Sequence, residues 1–317
     1  MAAEKLLTST SIISALYHRL TIGDTSWVNR YAMKIDSNQE IESYAFLGMA
    51  PTMREWIGGR QAKGLSEYSF QVRNKDHEAT LEVLVKELRR DKSGQIRLRI
   101  NDLARRVLSY PAKLVSTLMQ NGESQLCYDG SYFFDTAHVS GKSGSQANKI
   151  QVDISELPVG ADNHGSVSVP HVLEFQQAVL KGVQQLLALK DDQGEPLNEG
   201  MRTFEVMVPT SMWAIAQAAL ALPVLSQGQA NIIPAMSDFK IVPVVNPRLT
   251  WTTKFAIVAT DGETKPFIIQ EEVPLGVDAI AEGSELEFKE KKHWYGVDWT
   301  GEVAFGLWQH AVLVELI

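Results

Sequence analysis

The sequence predicts an α+β fold, and three patterns along the chain carry that prediction. Hydrophobic and polar residues alternate over residues 68–85, which is typical of β-strands with one buried face. Residues 94–121 repeat hydrophobic side chains at steps of three and four, which indicates an amphipathic helix. After residue 169, helical periods alternate with short runs of β-branched residues, which favours helices packed on a sheet.

The composition bounds the size of the core and the classes of function. The 317 residues are 44% hydrophobic, so we expect most of the chain to fold around a sizeable core. The formal net charge of −8 argues against a protein whose main role is to bind nucleic acid, because phosphate binding needs clustered Lys and Arg. A single cysteine, Cys127, excludes an internal disulfide and fits a reducing cytoplasm. Neither a membrane span nor a signal peptide is expected.

The first 45 residues predict a short helix followed by an extended arm. Ser9 or Ser11 would cap the helix and Gly23 would end it. The hydrophobic stripe of this helix consists of Ile12, Ile13, Leu16, Tyr17 and Leu20. From residue 27 to about residue 50 no period persists, so this segment has few positions for a core of its own.

Two alternating runs, at residues 68–72 and 79–85, predict a long hairpin that turns at residues 74–76. Its outer face would carry polar side chains at alternate positions, namely Gln71, Arg73, Thr80 and Glu82. A hairpin that projects in this way needs a partner to lie on.

The strongest helical period follows the hairpin, at residues 94–121. Its buried stripe consists of Ile96, Ile100, Leu103, Val107, Tyr110, Leu114 and Leu118. Pro111 removes one backbone donor and clashes with the preceding turn, so we expect a bend near residues 107–110. The period resumes after Pro111, which favours a bend over the end of the helix.

The remainder of the chain predicts a mixed layer of helices and short strands. Loops at residues 139–168 precede a helix over residues 169–190, for which Ser168 is the candidate cap. A second helix is expected at residues 211–222. The expected strands lie at residues 204–208, 240–245, 255–259, 267–270 and 311–316.

One segment brings together a thiol, two carboxylates and an imidazole, from Cys127, Asp129, Asp135 and His138. A Cys/His nucleophile pair is conceivable here, but nothing nearby predicts an oxyanion hole or a helix N-terminus that would activate the thiol. The spacing also lacks the further His or Cys of a zinc site and the alternating oxygen ligands of an EF-hand. We therefore predict a structural segment, with no catalytic residue, no metal and no cofactor.

Two surface features have a structural and a functional interpretation. Arginines cluster at Arg89, Arg90, Arg97, Arg99, Arg105 and Arg106. Asp91 and Asp102 lie nearby, which favours a solvated helix face with local ion pairs, and salt bridges between subunits are the alternative. The aromatic residues at 294–308 predict core or interface packing. A platform that stacks nucleic-acid bases would need basic residues among the aromatic ones, and only Lys291 and Lys292 lie nearby.

Four stretches of the sequence resemble segments of one family of phage proteins. They are Leu47-Gly48 with Pro51-Thr52, Glu55-Trp56-Ile57-Gly58 and Arg60; Cys127-Tyr128-Asp129-Gly130 with Phe133-Phe134-Asp135 and His138; Gly194-Glu195-Pro196-Leu197 with Val206-Met207-Val208-Pro209; and Tyr295-Gly296-Val297 with Phe305-Gly306-Leu307-Trp308-Gln309 and Ala311. Their order resembles that of the Mu-like major head subunit family, which has the tailed-phage major capsid fold of the Hong Kong ninety-seven type. The first 40 residues match this family in general character.

The resemblance implies five regions in this chain. They are an N-terminal arm (1–45), an extended loop hairpin (46–90), a peripheral domain with a long spine helix (91–160), an axial α/β domain (161–260) and C-terminal strands that return to the peripheral domain (261–317). It also implies a structural protein without enzymatic activity. Such a protein self-assembles in the host cytoplasm into hexamers and pentamers of an icosahedral head, and it becomes part of the virion.

The resemblance further implies partners and contact residues. The partners are other copies of the chain, a portal, a scaffold and decoration proteins, and the shell encloses double-stranded DNA without sequence-specific binding or a membrane. Trp56 and Arg60 are the expected anchors of the extended loop, because buried Trp and Arg dominate contact energies. Arg73, Lys75 and Glu82 are the expected charged contacts between subunits.

Two other functions remain open at the level of sequence. One is another virion protein, such as a tail-tube or decoration protein. The other is a cytosolic cysteine hydrolase that uses Cys127 and His138.

Overall fold

A computed structural model describes residues 9–21, 27–44, 70–90, 94–159, 163–225 and 230–317 of the chain. Its helices are α1 (Ser9–Thr21), α2 (Val28–Tyr31), α3 (Val85–Arg90), α4 (Gln95–Leu108), α5 (Tyr110–Gln120), α6 (Val172–Ala188), α7 (Trp213–Leu220) and α8 (Glu285–Glu290). Its strands are β1 (Ala32–Asp36), β2 (Ile41–Tyr44), β3 (Phe70–Arg73), β4 (Lys75–Leu84), β5 (His138–Val139), β6 (Ser145–Gln146), β7 (Lys149–Val152), β8 (Thr203–Val208), β9 (Lys240–Val245), β10 (Lys254–Ala259), β11 (Phe267–Ile280), β12 (Lys292–Phe305) and β13 (Ala311–Leu316).

A four-stranded sheet, in the order β1-β11-β12-β4, forms one half of the fold. Strand β12 pairs antiparallel with both β11 and β4, and β1 runs parallel to β11. One face of this sheet packs against α1 and α4 through a core that includes Leu16, Val83, Ile100 and Tyr295. This small core is built from residues far apart in the sequence, so α1 depends on the sheet for its burial.

A five-stranded sheet, in the order β7-β13-β10-β8-β9, forms the other half. Its central strands β8, β10 and β13 are almost completely buried, as their continuous hydrophobic runs predict. Helix α6 lies close to this sheet because Gly182 has no side chain: a Cβ atom there would be 2.5 Å from Ile257 Cδ1. The C-terminal strand β13 contributes its buried side chains to this larger core.

The predicted pairing of the two alternating runs is wrong. Strand β3 pairs antiparallel with β2, and β4 pairs with β12 over ten residues. The chain passes from β3 to β4 through Asn74, which is buried and not part of a turn. The Asn74 amide donates to Gln39 O at 2.8 Å and accepts from Gln270 Nε2 at 2.7 Å, so buried hydrogen bonds hold it between strands. A β2–β3 ribbon therefore flanks residues 45–69, which lie outside the described residues.

The predicted bend in the long helix is found, and it separates two helices. Helix α4 ends at Leu108, Ser109 alone intervenes, and α5 begins at Tyr110. Pro111 is in the first turn of α5, where the missing N–H costs little. The Ser109 N–H still donates to Arg105 O at 3.1 Å, so the helical path continues through the bend.

The helix after the loops begins later than predicted. Helix α6 starts at Val172 with His171 as its cap, where we expected Ser168. The buried Glu174 carboxylate explains the shift, because it accepts from the backbone N–H of His171 at 2.6 Å and of Gly165 at 3.1 Å. Among the described residues, no helix is long and apolar enough to cross a membrane.

Candidate functional site

Cys127, the residue considered as a nucleophile, is packed inside the protein. Its side chain is buried, and its thiol lies 3.9 Å from the carbonyl oxygen of Gly306. Burial raises the pKa of the Cys127 thiol well above its usual value, and the nearby Asp129 carboxylate raises this pKa further. The thiolate is therefore disfavoured, in contrast to the thiolates of reactive cysteines.

His138 is fully engaged by partners other than the thiol. Its Nδ1 lies 2.6 Å from Asp129 Oδ2, its Nε2 lies 3.2 Å from Asn148 Oδ1, and its ring stacks on Trp308 with centroids 4.0 Å apart. Both ring nitrogens are occupied, so His138 offers no free base to Cys127. The predicted crowding of this segment is real, and its contacts are those of a packed structural element.

Asn148 is the residue that joins this cluster to the rest of the protein. Its Nδ2 donates to Phe133 O at 2.7 Å and to Trp308 O at 3.3 Å, and its Oδ1 accepts from the Asp135 N–H at 2.9 Å. Both N–H groups of the Asn148 amide donate to carbonyl oxygens, so the atom that faces His138 is Oδ1. An amide oxygen can only accept, so His138 Nε2 is the donor in that bond. No pattern in the sequence singles out Asn148, which lies in a loop rich in Gly, Ser and Asn.

A second buried imidazole lies at the junction of β13 with the preceding turn. His310 Nδ1 donates to Asn198 Oδ1 at 2.7 Å, and Thr264 Oγ1 donates to His310 Nε2 at 2.8 Å. Burial lowers the pKa of His310 to about 4, and the Lys265 cation contributes to this shift. His310 is thus neutral at ordinary pH. Within the described residues, no group of three or more His, Cys, Asp or Glu side chains is arranged to hold a metal ion.

The structure describes three of the five predicted contact residues, and each of them has an intrachain partner. Arg73 donates to Glu40 Oε1 at 2.6 Å, and Lys75 forms an ion pair with Glu302 across β4 and β12. Glu82 accepts from Trp294 Nε1 at 3.1 Å and from Lys292 Nζ at 3.2 Å, and these bonds lower the pKa of Glu82. Trp56 and Arg60 lie outside the described residues.

A cavity of about 570 Å³ lies beside the α4–α5 bend, against the four-stranded sheet. Val107, Tyr110 and Trp299 are among its lining residues. Its aromatic wall is held by His77, which accepts from Tyr110 OH at 2.9 Å and donates to Gly301 O at 3.2 Å. The His77 ring also stacks on Trp299, with centroids 5.0 Å apart. The cavity is therefore a largely preformed slot with apolar and aromatic walls.

Comparison with known proteins relates both ends of the chain to one family. The family model described as "Mu-like prophage major head subunit gpT" matches residues 10–157 and 234–316, together well over half of the chain. The major capsid protein of Escherichia phage Mu is 30% identical over 113 residues, and the FluMu major head subunit of Haemophilus influenzae is 30% identical over 121 residues. These matches cover 36% and 38% of this chain, but only 37% and 39% of the length of the two relatives.

Solved structures extend the similarity to nearly the whole chain. The procapsid of bacteriophage JBD30 matches with a TM-score of 0.54 at 20% identity, covering 97% of this chain and 74% of that one. The capsid of the cyanophage P-SCSP1u matches with a TM-score of 0.54 at 9% identity, covering 93% of this chain and 89% of that one. At these identities the likeness concerns the fold alone, and it confirms the predicted α+β class.

Proposed function

The chain belongs to the Mu-like prophage major head subunit gpT family, and from that membership we propose that it is a structural subunit of a phage head. It self-assembles into hexamers and pentamers of an icosahedral shell that encloses double-stranded DNA, and it resides in the virion. The observation that carries this proposal is the family match, which includes strands of both sheets. A portal, a scaffold and decoration proteins are the further partners that we propose.

We propose the five regions expected from the sequence as the working parts of the subunit. The β2–β3 ribbon would be the base of the extended loop, and α4 and α5 would be the spine of the peripheral domain. The five-stranded sheet with α6 and α7 would be the axial domain. The last region connects the two halves, because β11 and β12 belong to one sheet and β13 to the other.

We propose that Trp56 anchors the extended loop in the cavity of a neighbouring copy. Support comes from the cavity itself, whose walls of Val107, Tyr110 and Trp299 suit an aromatic ring. Arg60 would bind near the same opening, where Glu271 lines the cavity. Arg73, Lys75 and Glu82 would add charged contacts between copies, in exchange for parts of their intrachain ion pairs.

Sedimentation of the purified full-length chain tests the shell function. Closed shells sediment as large particles of narrow size distribution, whereas unassembled subunits remain near the top of the gradient. We expect a fast-sedimenting population of closed particles. A chain that stays monomeric under all conditions of salt and concentration, or that forms open tubes, would contradict the proposal.

Substitution of Trp56 tests the proposed anchor. Trp56→Ala should give soluble, folded protein with few shells, because a loss of about 1 to 2 kcal/mol per contact is repeated at every copy. Trp56→Phe is the matched control, and it should retain most of the shells because an aromatic ring still fills the slot. Normal shell yield with Trp56→Ala would rule out the anchor and leave the shell function standing.

A further inference from the structure

The cavity beside the α4–α5 bend has an aromatic wall whose rings are fixed in place. The His77 ring stacks on Trp299, and the Tyr110 ring meets Trp299 edge-on with centroids 6.5 Å apart. Trp299 Nε1 donates to Glu271 Oε2 at 3.0 Å, and Tyr110 OH donates to His77 Nδ1 at 2.9 Å. Because contacts within the chain already hold each ring, a ligand would not have to order this wall when it binds.

The remaining apolar walls and the size of the cavity suit a molecule with one or two rings. Leu103 and Val107 come from α4, and Ile269 and Val297 come from the four-stranded sheet. The volume of about 570 Å³ is within the range of about 300 to 1,000 Å³ that is typical of small-molecule sites. A flat ring bound here would be removed from water and would pack against aromatic side chains.

Carboxylates outnumber cations around the cavity. Its lining residues include four carboxylates, namely Asp76, Glu78, Glu271 and Asp298. Of the two lining cations, Lys34 forms an ion pair with Glu271 at 2.5 Å. The other, Arg106, forms an ion pair with Asp102 at 2.9 Å. A cleft lined mainly by one sign of charge concentrates ions of the opposite sign, so this cavity favours a cation.

Two of these carboxylates belong to neighbouring residues of the sheet. Glu78 of β4 and Asp298 of β12 are paired positions in the antiparallel register, and both are exposed. Glu78 accepts from Thr80 Oγ1 at 2.8 Å, and within the described ranges neither carboxylate has an ion-pair partner. Like charges at paired positions of two strands repel each other. A cation bound near this pair relieves the repulsion.

We propose that this cavity binds a small aromatic amine, that is, a molecule with one or two aromatic rings and a protonated amino group. The ring contacts Val107, Tyr110 and Trp299, and the ammonium group lies near Glu78 and Asp298. A neutral ring gains only the contacts with the walls. An aromatic anion gains the same contacts but is repelled by the carboxylates.

An aromatic amine carries in one molecule the two features that the extended loop of a neighbouring copy would bring to the cavity. Trp56 would supply the ring, and Arg60, four residues further on, would supply the positive charge. The amine therefore competes with the loop and lowers the yield of shells. This effect on assembly rests on the proposed function, whereas binding to the free subunit does not.

Three probes with the same bicyclic ring test the ligand class: tryptamine is a cation, indole is neutral and indole-3-propionate is an anion. Their affinities for unassembled full-length subunits are measured by ligand-observed NMR titration. We expect tryptamine to bind about fivefold more tightly than indole, and indole-3-propionate to bind most weakly. No binding of any probe, or an affinity order that does not follow the charge, would overturn the proposal.

Substitution of the paired carboxylates tests where the amine binds. Glu78→Gln with Asp298→Asn should remove the advantage of tryptamine over indole and leave the affinity for indole unchanged. The matched control is Glu156→Gln with Glu199→Gln, which makes the same change in net charge at exposed positions outside the four-stranded sheet. Equal loss in both double variants would show a general attraction to an acidic protein and would overturn the site.

Filling the cavity tests the position of the ring. Ala79 and Leu103 both line the cavity, one from β4 and one from α4. Ala79→Trp places an indole ring of the chain itself in the space and should abolish binding of all three probes, and Leu103→Trp does the same from the other wall. Circular dichroism identifies which of the two variants is folded. Undiminished binding by a folded, filled variant would overturn the proposal.

Assembly in the presence of the probes separates the ligand site from the shell function. Tryptamine should lower the yield of closed particles at concentrations that saturate the free subunit, and indole-3-propionate at the same concentration should not. Binding of tryptamine without any effect on yield would support the ligand site and rule out the Trp56 anchor. If the unaltered chain formed no particles, the shell function would fail, and the affinities of the three probes for the subunit would still decide the proposal.

Discussion

At the scale of single residues, the sequence identifies the crowded segment at 127–138 but not the residues that hold it. Its composition correctly favours structure over catalysis for Cys127 and His138, because no activating group is nearby. Asn148 and Trp308, which complete the network, are separated from it by a loop and by most of the chain. Their roles depend on long-range packing, which no local pattern encodes.

Asn148→Ala should strongly destabilise the folded subunit. It removes the bonds to Phe133 O and Trp308 O and leaves buried polar groups unpaired, which costs about 2 to 4 kcal/mol. Urea unfolding followed by fluorescence measures this cost. Asn163→Ala, at an exposed loop position, is the control and should change stability by about 0.5 kcal/mol or less. Similar effects of the two substitutions would contradict the central role of Asn148.

His310 should make the fold sensitive to acid. Its pKa is about 4 in the folded protein and 6.5 in the unfolded chain, so the unfolded chain takes up the proton first. Neutral His310 therefore makes its full contribution to the free energy of unfolding above about pH 6.5. This contribution is lost as pH falls towards 4, and it decreases by about 2 kcal/mol between pH 7.5 and pH 5. We expect the free energy of unfolding to fall less over this interval in His310→Gln than in the unaltered chain. Parallel pH profiles of the two proteins would show that His310 does not titrate in this way.

At the scale of elements, hydrophobic period predicts the existence of helices and strands well and their pairing poorly. The bend at Pro111 follows from backbone chemistry alone, and the structure has it within one turn of the expected place. The hairpin prediction fails because Asn74 looks like a turn residue in the sequence, whereas its hydrogen bonds to Gln39 O and from Gln270 Nε2 keep the chain extended. Strand β11 extends beyond the run predicted at residues 267–270, because its solvated end lacks a hydrophobic run, and no strand was predicted at residues 292–305, where β12 lies.

Helix α4 offers a matched pair of substitutions two residues apart. Ile100 is buried between α1 and the sheet, whereas Leu98 is 67% exposed. Ile100→Ala should lower the free energy of unfolding by about 2 to 5 kcal/mol through lost burial and a residual cavity. Leu98→Ala should change it by about 0.5 kcal/mol or less. Thermal unfolding of both variants measures the difference, and equal melting temperatures would show that α4 does not pack on the sheet as described.

At the scale of the whole molecule, the sequence predicts the α+β class and the family, and it does not predict the distribution of charge. The net charge of −8 argues against strong binding of nucleic acid. It is an average, however, and it hides local clusters of charge, such as the exposed carboxylates Glu78, Glu82 and Asp298 along β4 and β12. This cluster arises from strand register, which places Glu78 and Asp298 opposite each other.

The central claim is that this chain builds a closed shell, and electron cryomicroscopy of the particles formed by the full-length chain tests it most directly. The account predicts icosahedral particles of hexamers and pentamers, in which residues 46–90 of each copy cross a neighbouring copy. Open tubes, rings that do not close, or a shell in which that loop folds back onto its own subunit would contradict the account.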